Sequence, residues 1–385
     1  MIKLRWKDNW IEYTSVEWSG TENQASRKIV AKVPWNPYDS KFNNPKIQLG
    51  DLMYLYNGTT MLFVGIVTSR NTSAEIGEAE YIAMDFMHYL LRSKATYVFR
   101  NTTAEKITQK ICTEFNIKTK NLSKTKVNIK KIIMEDMTLY DCILKVYRKA
   151  KAKTKKKYMP VMNGQYVTVI EKGQSCNLVL EQGKNITEAS YTDDLNSMIN
   201  QVAIYNDNRK RLGQVKNKKN VSKYGVYQAT YKKEEGADAK KEASALLTGI
   251  SRTAEVECIG DLAAKAGMSI KIKDKATGLT GTFYITEDTH IFENGNHMMT
   301  LGLSWDNTME GEEKKEEEAK PDVRNSAKCY YLENATVYHS KKNCTACKGK
   351  KTKTSTVAKM KKILITKGKN KGKRKYKPCA KCWET

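Results

Sequence analysis

The stretch from Gly278 to Trp305, GLTGTFYITEDTHIFENGNHMMTLGLSW, decides the fold because apolar and polar residues alternate on both sides of one turn. Phe283 and Ile285 alternate with Tyr and Thr neighbours, and the same period of two continues around Leu301. That period is typical of half-buried strands. Between the two runs, Asn294-Gly295 tolerates positive φ at both central turn positions. The stretch therefore predicts an antiparallel hairpin.

An earlier part of the chain has the same layout. Residues 50–67 and 267–285 each contain a glycine, a strand, a polar turn with glycine, an apolar residue and a second strand. The alternative interpretation is that two unrelated hairpins share glycines and alternation. We interpret the pattern as a weak internal repeat, in which one small β-barrel occurs twice in one chain.

The pattern of elements predicts a mainly β (α+β) chain with two antiparallel β-barrels, an α/β insertion between them and a small C-terminal zinc-ribbon-like module. The predicted boundaries are 1–95 for the first barrel, which can be discontinuous, 96–200 for the insertion, 201–305 for the second barrel, 306–325 for an acidic flexible linker and 326–385 for a basic zinc-binding module. The linker has almost no apolar residues, so it cannot bury enough surface to offset the entropy of ordering.

Within the insertion, helical periodicity replaces strand alternation. Thr102-Thr103-Ala104-Glu105 has the form of a capping box and precedes an apolar helical face. A second helix is predicted to start near Thr138, and the lysine-rich residues 150–157 are predicted to form a basic loop. A further helix is predicted over residues 238–247.

Composition limits the classes of protein that fit. The 385 residues are 40% hydrophobic, which suits folded domains. No apolar run is long enough to cross a bilayer, so no membrane anchor is predicted. The N-terminus MIKLRWKDNW lacks the apolar segment of a signal peptide, which predicts folding in a cytoplasm.

The charge is unevenly distributed. The formal net charge is +26, and residues 326–385 alone carry 18 Lys and Arg against 2 Glu. Residues 306–325 carry 8 acids against 4 bases. The C-terminal part is therefore a separate electrostatic unit, whose lysines could contact the phosphates of nucleic acid or teichoic acid or simply keep the module soluble.

Five of the nine cysteines fall in the last 60 residues, in a pattern that predicts a structural Zn²⁺ site. Cys379 and Cys382 form a Cys-x-x-Cys turn after a proline, and such turns hold tetrahedral zinc. Spacing alone leaves the other ligands open, because either His339 with Cys344 or Cys344 with Cys347 completes a set of four. The scattered cysteines are predicted to be small core residues: Cys112, Cys142, Cys176 and Cys258.

No catalytic constellation is present. The chain has neither of the two common types of glycine-rich phosphate loop. It also has no His-Glu-x-x-His motif and no Gly-x-Ser-x-Gly motif. Glu287, Asp288 and Glu293 lie near a turn, where solvated carboxylates are ordinary, and His290 and His297 are predicted to be structural. We therefore expect a protein that is not an enzyme.

Residues 1–305 resemble the baseplate hub proteins of contractile phage tails and phage-tail-like bacteriocins, especially those of Gram-positive hosts. The segments that carry the resemblance are Lys46–Asp51, Leu62–Val67, Thr102–Ile107, Gly281–Ile285, Thr289-His290 and His297–Leu303. The C-terminal part resembles a small Firmicutes module with a Tyr-His pair, a cysteine and a distant Pro-Cys-x-x-Cys. This second resemblance favours His339, Cys344, Cys379 and Cys382 as zinc ligands, with Cys347 as the alternative.

The hub resemblance implies two tube-like barrels per chain and a homotrimer that joins a six-fold inner tube to a three-fold spike. The implied partners are tail tube initiator proteins, the central spike and a baseplate wedge or tape-measure protein. The implied location is the baseplate of a tail assembled in the bacterial cytoplasm. Two other classes stay open: a nucleic-acid-binding protein with OB-like barrels and a basic zinc ribbon, and a cell-wall hydrolase.

Overall fold

The computed structural model describes residues 1–22, 24–234 and 238–309, and in the C-terminal part residues 328–332, 337–340, 352–356, 359–360, 363 and 377–378. These residues contain 25 strands and 5 helices, so the prediction of a mainly β chain is confirmed. No helix among them is long and apolar enough to cross a membrane.

Seven strands and one short helix form the first half of the body. They are β1 (Ile2–Trp6), β2 (Asn9–Ile11), β3 (Ser15–Thr21), β4 (Gln24–Trp35), β5 (Leu52–Asn57), β6 (Thr60–Asn71), β7 (Gly77–Asp85) and α1 (Met87–Arg92). β5 and β6 form the predicted antiparallel hairpin, with Leu52 opposite Ile66. Alternate residues of these strands, such as Trp18 and Tyr81, are buried in one apolar core.

The insertion begins with β8 (Lys94–Thr102), α2 (Ala104–Glu114), β9 (Thr119–Leu122), β10 (Ile129–Thr138), α3 (Leu139–Thr154), β11 (Tyr158–Asn163) and β12 (Tyr166–Glu171). Both predicted helices are confirmed, with two corrections. The side chain of N-cap Thr103 makes no capping hydrogen bond, and Glu105 instead accepts from Thr125 Oγ1 at 3.0 Å. α3 continues through the first part of the predicted basic loop, because its apolar face extends to Ala150.

The second half contains β13 (Ser175–Glu181), β14 (Ile186–Asp194), β15 (Gln201–Tyr205), β16 (Arg211–Lys216), α4 (Lys218–Tyr224), β17 (Gln228–Lys232), α5 (Ala239–Ala245), β18 (Ser251–Ile259), β19 (Ser269–Lys273), β20 (Thr280–Glu293) and β21 (Asn296–Ser304). β20 and β21 form the hairpin predicted around Asn294-Gly295, and α5 is the helix predicted there. β13 and β14 fall inside the predicted insertion but pair with β19 and β18. β15, β16 and β17 form a small separate sheet.

The two halves share one sheet, which corrects the prediction of two separate barrels. The hydrogen-bonded order is β14-β18-β21-β20-β3-β4-β7-β6-β5-β1-β2, with β19 beside β20 and β13 beside β19, making 13 strands. Pairing among the described strands closes neither half into a barrel. β20 joins the halves by pairing with β3, and alternation inside single strands cannot reveal such a distant pairing.

β20 also contributes to two apolar cores. Phe283 and Ile285, in its first part, lie in the core of the second half. Phe292, near its end, lies in the core of the first half with Trp18 and Ile29. β20, which lies within the stretch Gly278–Trp305, therefore connects the two halves of the molecule.

The described C-terminal residues contain a four-stranded sheet in the order β24-β22-β23-β25. Its strands are β22 (Lys328–Tyr331), β23 (Val337–His339), β24 (Lys353–Thr356) and β25 (Lys377–Pro378). Cys329, Tyr338 and Met360 form its small apolar core. The predicted flexible linker 306–325 begins with packed residues, since Met309 is buried in the core of the insertion, and residues 310–325 lie outside the described part.

Candidate functional site at the junction of two repeats

The predicted repeat is present at the level of backbone hydrogen bonds. Gly50 and Gly267 both have positive φ, +85° and +89°, which suits glycine because it lacks a Cβ. The same three backbone hydrogen bonds follow in each copy. In the first copy they are Gly50 N to Val67 O (2.8 Å), Asp51 N to Gln48 O (3.2 Å) and Val67 N to Asp51 O (2.9 Å). In the second copy they are, in the same order, Gly267 N to Ile285 O (2.9 Å), Met268 N to Lys265 O (3.1 Å) and Ile285 N to Met268 O (2.9 Å). Gly50 therefore corresponds to Gly267, and Val67 to Ile285.

A β-bulge lies at the same place in both copies. In β6 the pairing with β7 shifts between Val67 and Ser69. In β20 the pairing with β21 shifts between Ile285 and Glu287. A bulge adds one unpaired residue and changes which face later side chains occupy. Both long strands therefore redirect their second part at equivalent residues.

The strand order also repeats. The first half runs β3-β4-β7-β6-β5-β1, and the second half runs β14-β18-β21-β20-β19-β13. All the neighbours in these two paths are antiparallel except β13 and β19, which are parallel where β1 and β5 are antiparallel. The two hairpins thus belong to two copies of one sheet topology, as the internal repeat predicted.

The two copies meet where β20 pairs with β3. Seven residue pairs align antiparallel, from Glu287 opposite Thr21 to Glu293 opposite Ser15. Glu22 N also donates to Thr286 O at 2.8 Å, which extends the ladder by one bond. A backbone ladder of this length fixes the relative register of the copies.

A buried ion pair lies across this ladder. Arg27 Nη1 donates to Asp288 Oδ1 at 2.9 Å, and Arg27 Nη2 contacts the second carboxylate oxygen. Asp288 is 0% exposed and also accepts from Ala266 N at 2.7 Å. Burial alone would raise the pKa of Asp288, but the charge of Arg27 and the hydrogen bond from His290 hold this pKa well below its ordinary value. Asp288 was expected to be a solvated turn carboxylate, and that expectation is wrong.

The ion pair is covered by an aromatic side chain. The Arg27 guanidinium lies 4.2 Å from the Trp18 ring centroid, and Lys265 Nζ lies 5.1 Å from the same ring. Burial and the charge of Arg27 lower the pKa of Lys265 to about 8. Burial of two cations beside one indole costs desolvation free energy. The negative charge of Asp288 offsets this cost.

Two histidines complete the junction. His290 Nε2 donates to Ala264 O at 3.0 Å, and His290 Nδ1 shares a 3.0 Å hydrogen bond with His297 Nε2. The His297 ring packs on Gly260, where an added Cβ would lie 2.2 Å from a ring carbon. Burial and the neighbouring His290 lower the pKa of His297 to about 4. These contacts agree with the structural roles that the sequence analysis predicted for both residues.

Asp85 anchors the first half beside the junction. Its carboxylate accepts from Ser26 Oγ at 2.9 Å, Arg27 N at 2.8 Å and Met87 N at 2.9 Å. Burial raises the pKa of Asp85 to about 7 against the effect of these three donors. This carboxylate therefore connects β4, which carries Arg27, to the start of α1.

The predicted zinc ligands are only partly within the described residues. His339 lies at the end of β23 with 1% of its surface exposed, and burial lowers its pKa. Cys344, Cys347, Cys379 and Cys382 lie outside the described residues. The scattered Cys112, Cys142, Cys176 and Cys258 are buried, as predicted.

The roles of Arg27, Trp18 and Lys265 at the junction were not predicted from the sequence. The sequence of β20, the strand they contact, contains one indication of the junction. After the bulge, the buried side chains of β20 are Asp288, His290 and Phe292, so a polar pair shares the inward face with an aromatic residue. The bulge that creates this face has no signature in the residue types.

Comparison with known proteins supports this architecture. Residues 16–304 match the family described as YQBQ-like. The phage-like element PBSX protein XkdQ of Bacillus subtilis (strain 168) is 28% identical over 317 residues, which cover 78% of this chain and 95% of that protein.

Solved structures show the same fold. The prophage MuSo2 43 kDa tail protein from Shewanella oneidensis has a TM-score of 0.60 at 14% identity, covering 78% of this chain and 97% of that chain. The tail protein from Neisseria meningitidis MC58 has a TM-score of 0.55 at 13% identity, covering 78% of this chain and 95% of that chain. The family match covers the insertion, β3 to β21 and the junction between the repeats, so this chain belongs to the YQBQ-like family and has a fold found in phage tail proteins.

Proposed function

We propose that this chain is the structural baseplate hub of a contractile tail or tail-like particle, and that it acts as a homotrimer without catalysing a reaction. The observation that carries the proposal is the repeat itself. One chain contains the same strand order twice, with the same glycine turn and the same bulge. Three such chains carry six quasi-equivalent units on a three-fold axis, which matches a six-fold tube on one side and a three-fold spike on the other.

The junction between the repeats supports this role. An adaptor has to hold its two units in one fixed relation, because a tube ring bound to them has fixed angles between subunits. The β20–β3 ladder and the Arg27–Asp288 pair supply such a connection through backbone and charge at once. A flexible tether between two domains would allow relative motion instead.

The proposed partners follow from the symmetry. The face with six units would bind tail tube initiator proteins, the three-fold axis would receive the central spike, and a wedge or tape-measure protein would meet the periphery. Assembly would take place in the host cytoplasm, and the finished protein would lie in the baseplate.

Imaging of the purified full chain tests this proposal. Negative-stain class averages are expected to show a closed ring with six similar densities and three-fold symmetry. A three-fold average with only three densities, or particles of single-chain size, would contradict the adaptor role. Addition of the tube protein is expected to stack a ring on one face of these particles only.

A second part of the proposal concerns the C-terminal module, to which we assign a structural zinc held by His339, Cys344, Cys379 and Cys382. A buried imidazole and thiolates are the donors that zinc prefers. β23 and β25 pair with Tyr338 opposite Pro378, and these residues immediately precede His339 and Cys379 in the sequence. Zinc at this place would add folding free energy to a module with a very small apolar core.

A further inference from the structure

Each half of the body has one strand edge that corresponds to an edge used in the junction. β14 corresponds to β3, and β6 corresponds to β20, from their places in the repeated strand order. Within one chain β20 pairs with β3. In the described part of the chain, β18 is the only strand that pairs with β14, apart from an isolated bridge between Ile186 and Gln182 at its start. No described strand pairs with β6 beyond Val67 on the side of β5. The equivalent junction is therefore incomplete within a single copy.

We propose that β14 of one copy pairs antiparallel with the end of β6 in the next copy, around residues 69–72, so that three such contacts close a ring. This inference deepens the proposed hub function and rests on it for the number of copies. The contact is head-to-tail, since each copy uses one edge of each kind. A strand added to an open edge gains main-chain hydrogen bonds along its length.

Both edges are exposed and polar, as expected for an interface that contains water. Ser69, Arg70 and Asn71 at the end of β6 are exposed. In β14, Thr187, Glu188, Ser190, Thr192 and Asp193 are exposed, and Asp194 at its end is partly buried. Long exposed edge strands are usually protected in soluble proteins, so an edge of this kind points to a partner strand.

The register of the contact follows from the pairing of each copy. In the first half Val67 lies opposite Ala83, Ala83 opposite Ile29, and Ile29 opposite Trp18. In the second half the same path runs from Ile285 to Leu303, Ala254 and Tyr191. Trp18 therefore corresponds to Tyr191.

Transfer of the junction register to the second contact gives specific pairs. Asp288 lies opposite Gly20 in the chain. Asp288 lies three residues after Ile285, so it corresponds to Arg70, which lies three residues after Val67. Gly20 lies two residues after Trp18, so it corresponds to Asp193, which lies two residues after Tyr191. The next copy's β14 would thus bring Asp193 opposite Arg70.

The charges of this pair are complementary. Arg252 occupies the position that corresponds to Arg27, and its Nε already lies 3.4 Å from Asp193 in the same chain. Arg70 from the next copy would approach the same carboxylate. The junction within the chain holds one carboxylate with Arg27, and the contact between copies would hold one carboxylate between Arg70 and Arg252.

The loop beside the β6 edge does not block it. In the first copy, Arg70 Nη1 donates to Ile47 O in this loop at 3.3 Å. Ala264 corresponds to Ile47 in the second copy, and its carbonyl accepts from His290 Nε2 of β20. β20 accommodates β3 with that loop in place. The same space is therefore available beside β6.

Disulfide trapping tests the pairing in the full-length protein. Ser69 and Asp194 would lie directly opposite each other, at a Cα separation of about 5 Å that allows a disulfide. The double variant S69C/D194C is expected to give covalent dimers and then trimers under mild oxidation. The matched control S69C/S190C places the thiols four residues out of register and is expected to stay uncross-linked, as are the single variants.

A charge variant gives an independent readout. Arg70→Glu is expected to weaken self-association by about tenfold or more, because like charges facing each other are strongly unfavourable. Lys130→Glu, an exposed lysine of the insertion, makes the same charge change and is expected to leave association unchanged. Unchanged thermal unfolding of the separated single chains would show that neither variant is misfolded.

The outcomes separate the two proposals. A trimer in sedimentation whose S69C/D194C variant does not cross-link would overturn the edge pairing and leave the hub intact. Covalent products that continue beyond three copies would support the edge pairing and contradict the closed trimer. A protein that stays a single chain in both experiments would overturn both.

Discussion

Arg27 and Asp288 are 261 residues apart in the sequence, yet Arg27 Nη1 donates to Asp288 Oδ1 at 2.9 Å inside the molecule. Arg27 lies on β4 and reaches across β3 to Asp288 on β20, the strand that pairs with β3 and makes the two copies of the repeat one sheet. The relation between the copies is therefore fixed by backbone pairing and by a buried charge pair. A symmetry adaptor requires this kind of rigid connection.

Removal of the guanidinium should destabilise the whole chain. Arg27→Met leaves Asp288 buried and without its cation, so we expect the free energy of unfolding to fall by about 3–5 kcal/mol. The double variant R27M/D288L removes both charges and should lose less than Arg27→Met alone. Urea unfolding at one protein concentration measures both effects.

An exposed ion pair provides the control. Lys94 and Asp136 are 3.2 Å apart with side chains that are 56% and 82% exposed. Lys94→Met should change the free energy of unfolding by about 0.5 kcal/mol or less. Equal losses for Arg27→Met and Lys94→Met would contradict a structural role for the buried pair.

The junction should weaken in mild acid because of His297. Its pKa is lowered to about 4 in the folded chain, whereas the unfolded side chain has the ordinary value near 6.5. The unfolded state therefore binds more protons between these values, and the stabilising contribution present above pH 6.5 is lost as the pH falls towards 4.

His297→Gln should remove that pH dependence. Asp85 acts in the opposite direction in this range, because its pKa is raised to about 7, so the informative quantity is the difference between variant and parent. We expect the parent to be more stable than His297→Gln at pH 7 and to lose most of that advantage by pH 4. A difference that stays constant with pH would contradict the assignment.

The two repeat glycines should respond differently to alanine. Gly50 has open space around it, so Gly50→Ala should cost only the strain of positive φ, about 1–2 kcal/mol. At Gly267 a new Cβ would also lie 2.6 Å from Met159 Sδ, so the loss should be larger. Gly213→Ala, which has open space and no positive φ, should change the free energy of unfolding by about 0.5 kcal/mol or less.

The zinc proposal predicts about one metal ion per chain in protein purified without chelator. His339→Ala and Cys379→Ser should lower the zinc content by a large factor, because each removes one of four ligands. Cys347→Ser should leave it unchanged, since Cys347 belongs only to the alternative set. Elemental analysis decides between them, and loss of zinc in Cys347→Ser with retention in His339→Ala would reverse the assignment.

Much of the fold could be predicted from local pattern. The Asn294-Gly295 turn, the hairpin after Gly50 and the helix capped at Thr138 each depend on residues close in sequence, and each is confirmed. The repeat could be predicted because its glycines need positive φ, and this requirement leaves a visible trace in the sequence.

The junction could not be predicted, for two physical reasons. The bulge after Ile285 moves the inward face of β20 from Phe283 and Ile285 to Asp288 and His290, so simple alternation assigns Asp288 to solvent. β14 has a polar sequence without clear alternation, because it forms an exposed edge, and its pairing with β18 depends on residues far along the chain.

The most direct test of the central claim is the mass of the purified full-length protein by sedimentation equilibrium over a range of concentrations. The hub account predicts a species of three chains at micromolar concentration, without larger assemblies. A single-chain mass across the whole range would contradict it, because one copy carries only two of the six units that a tube ring requires.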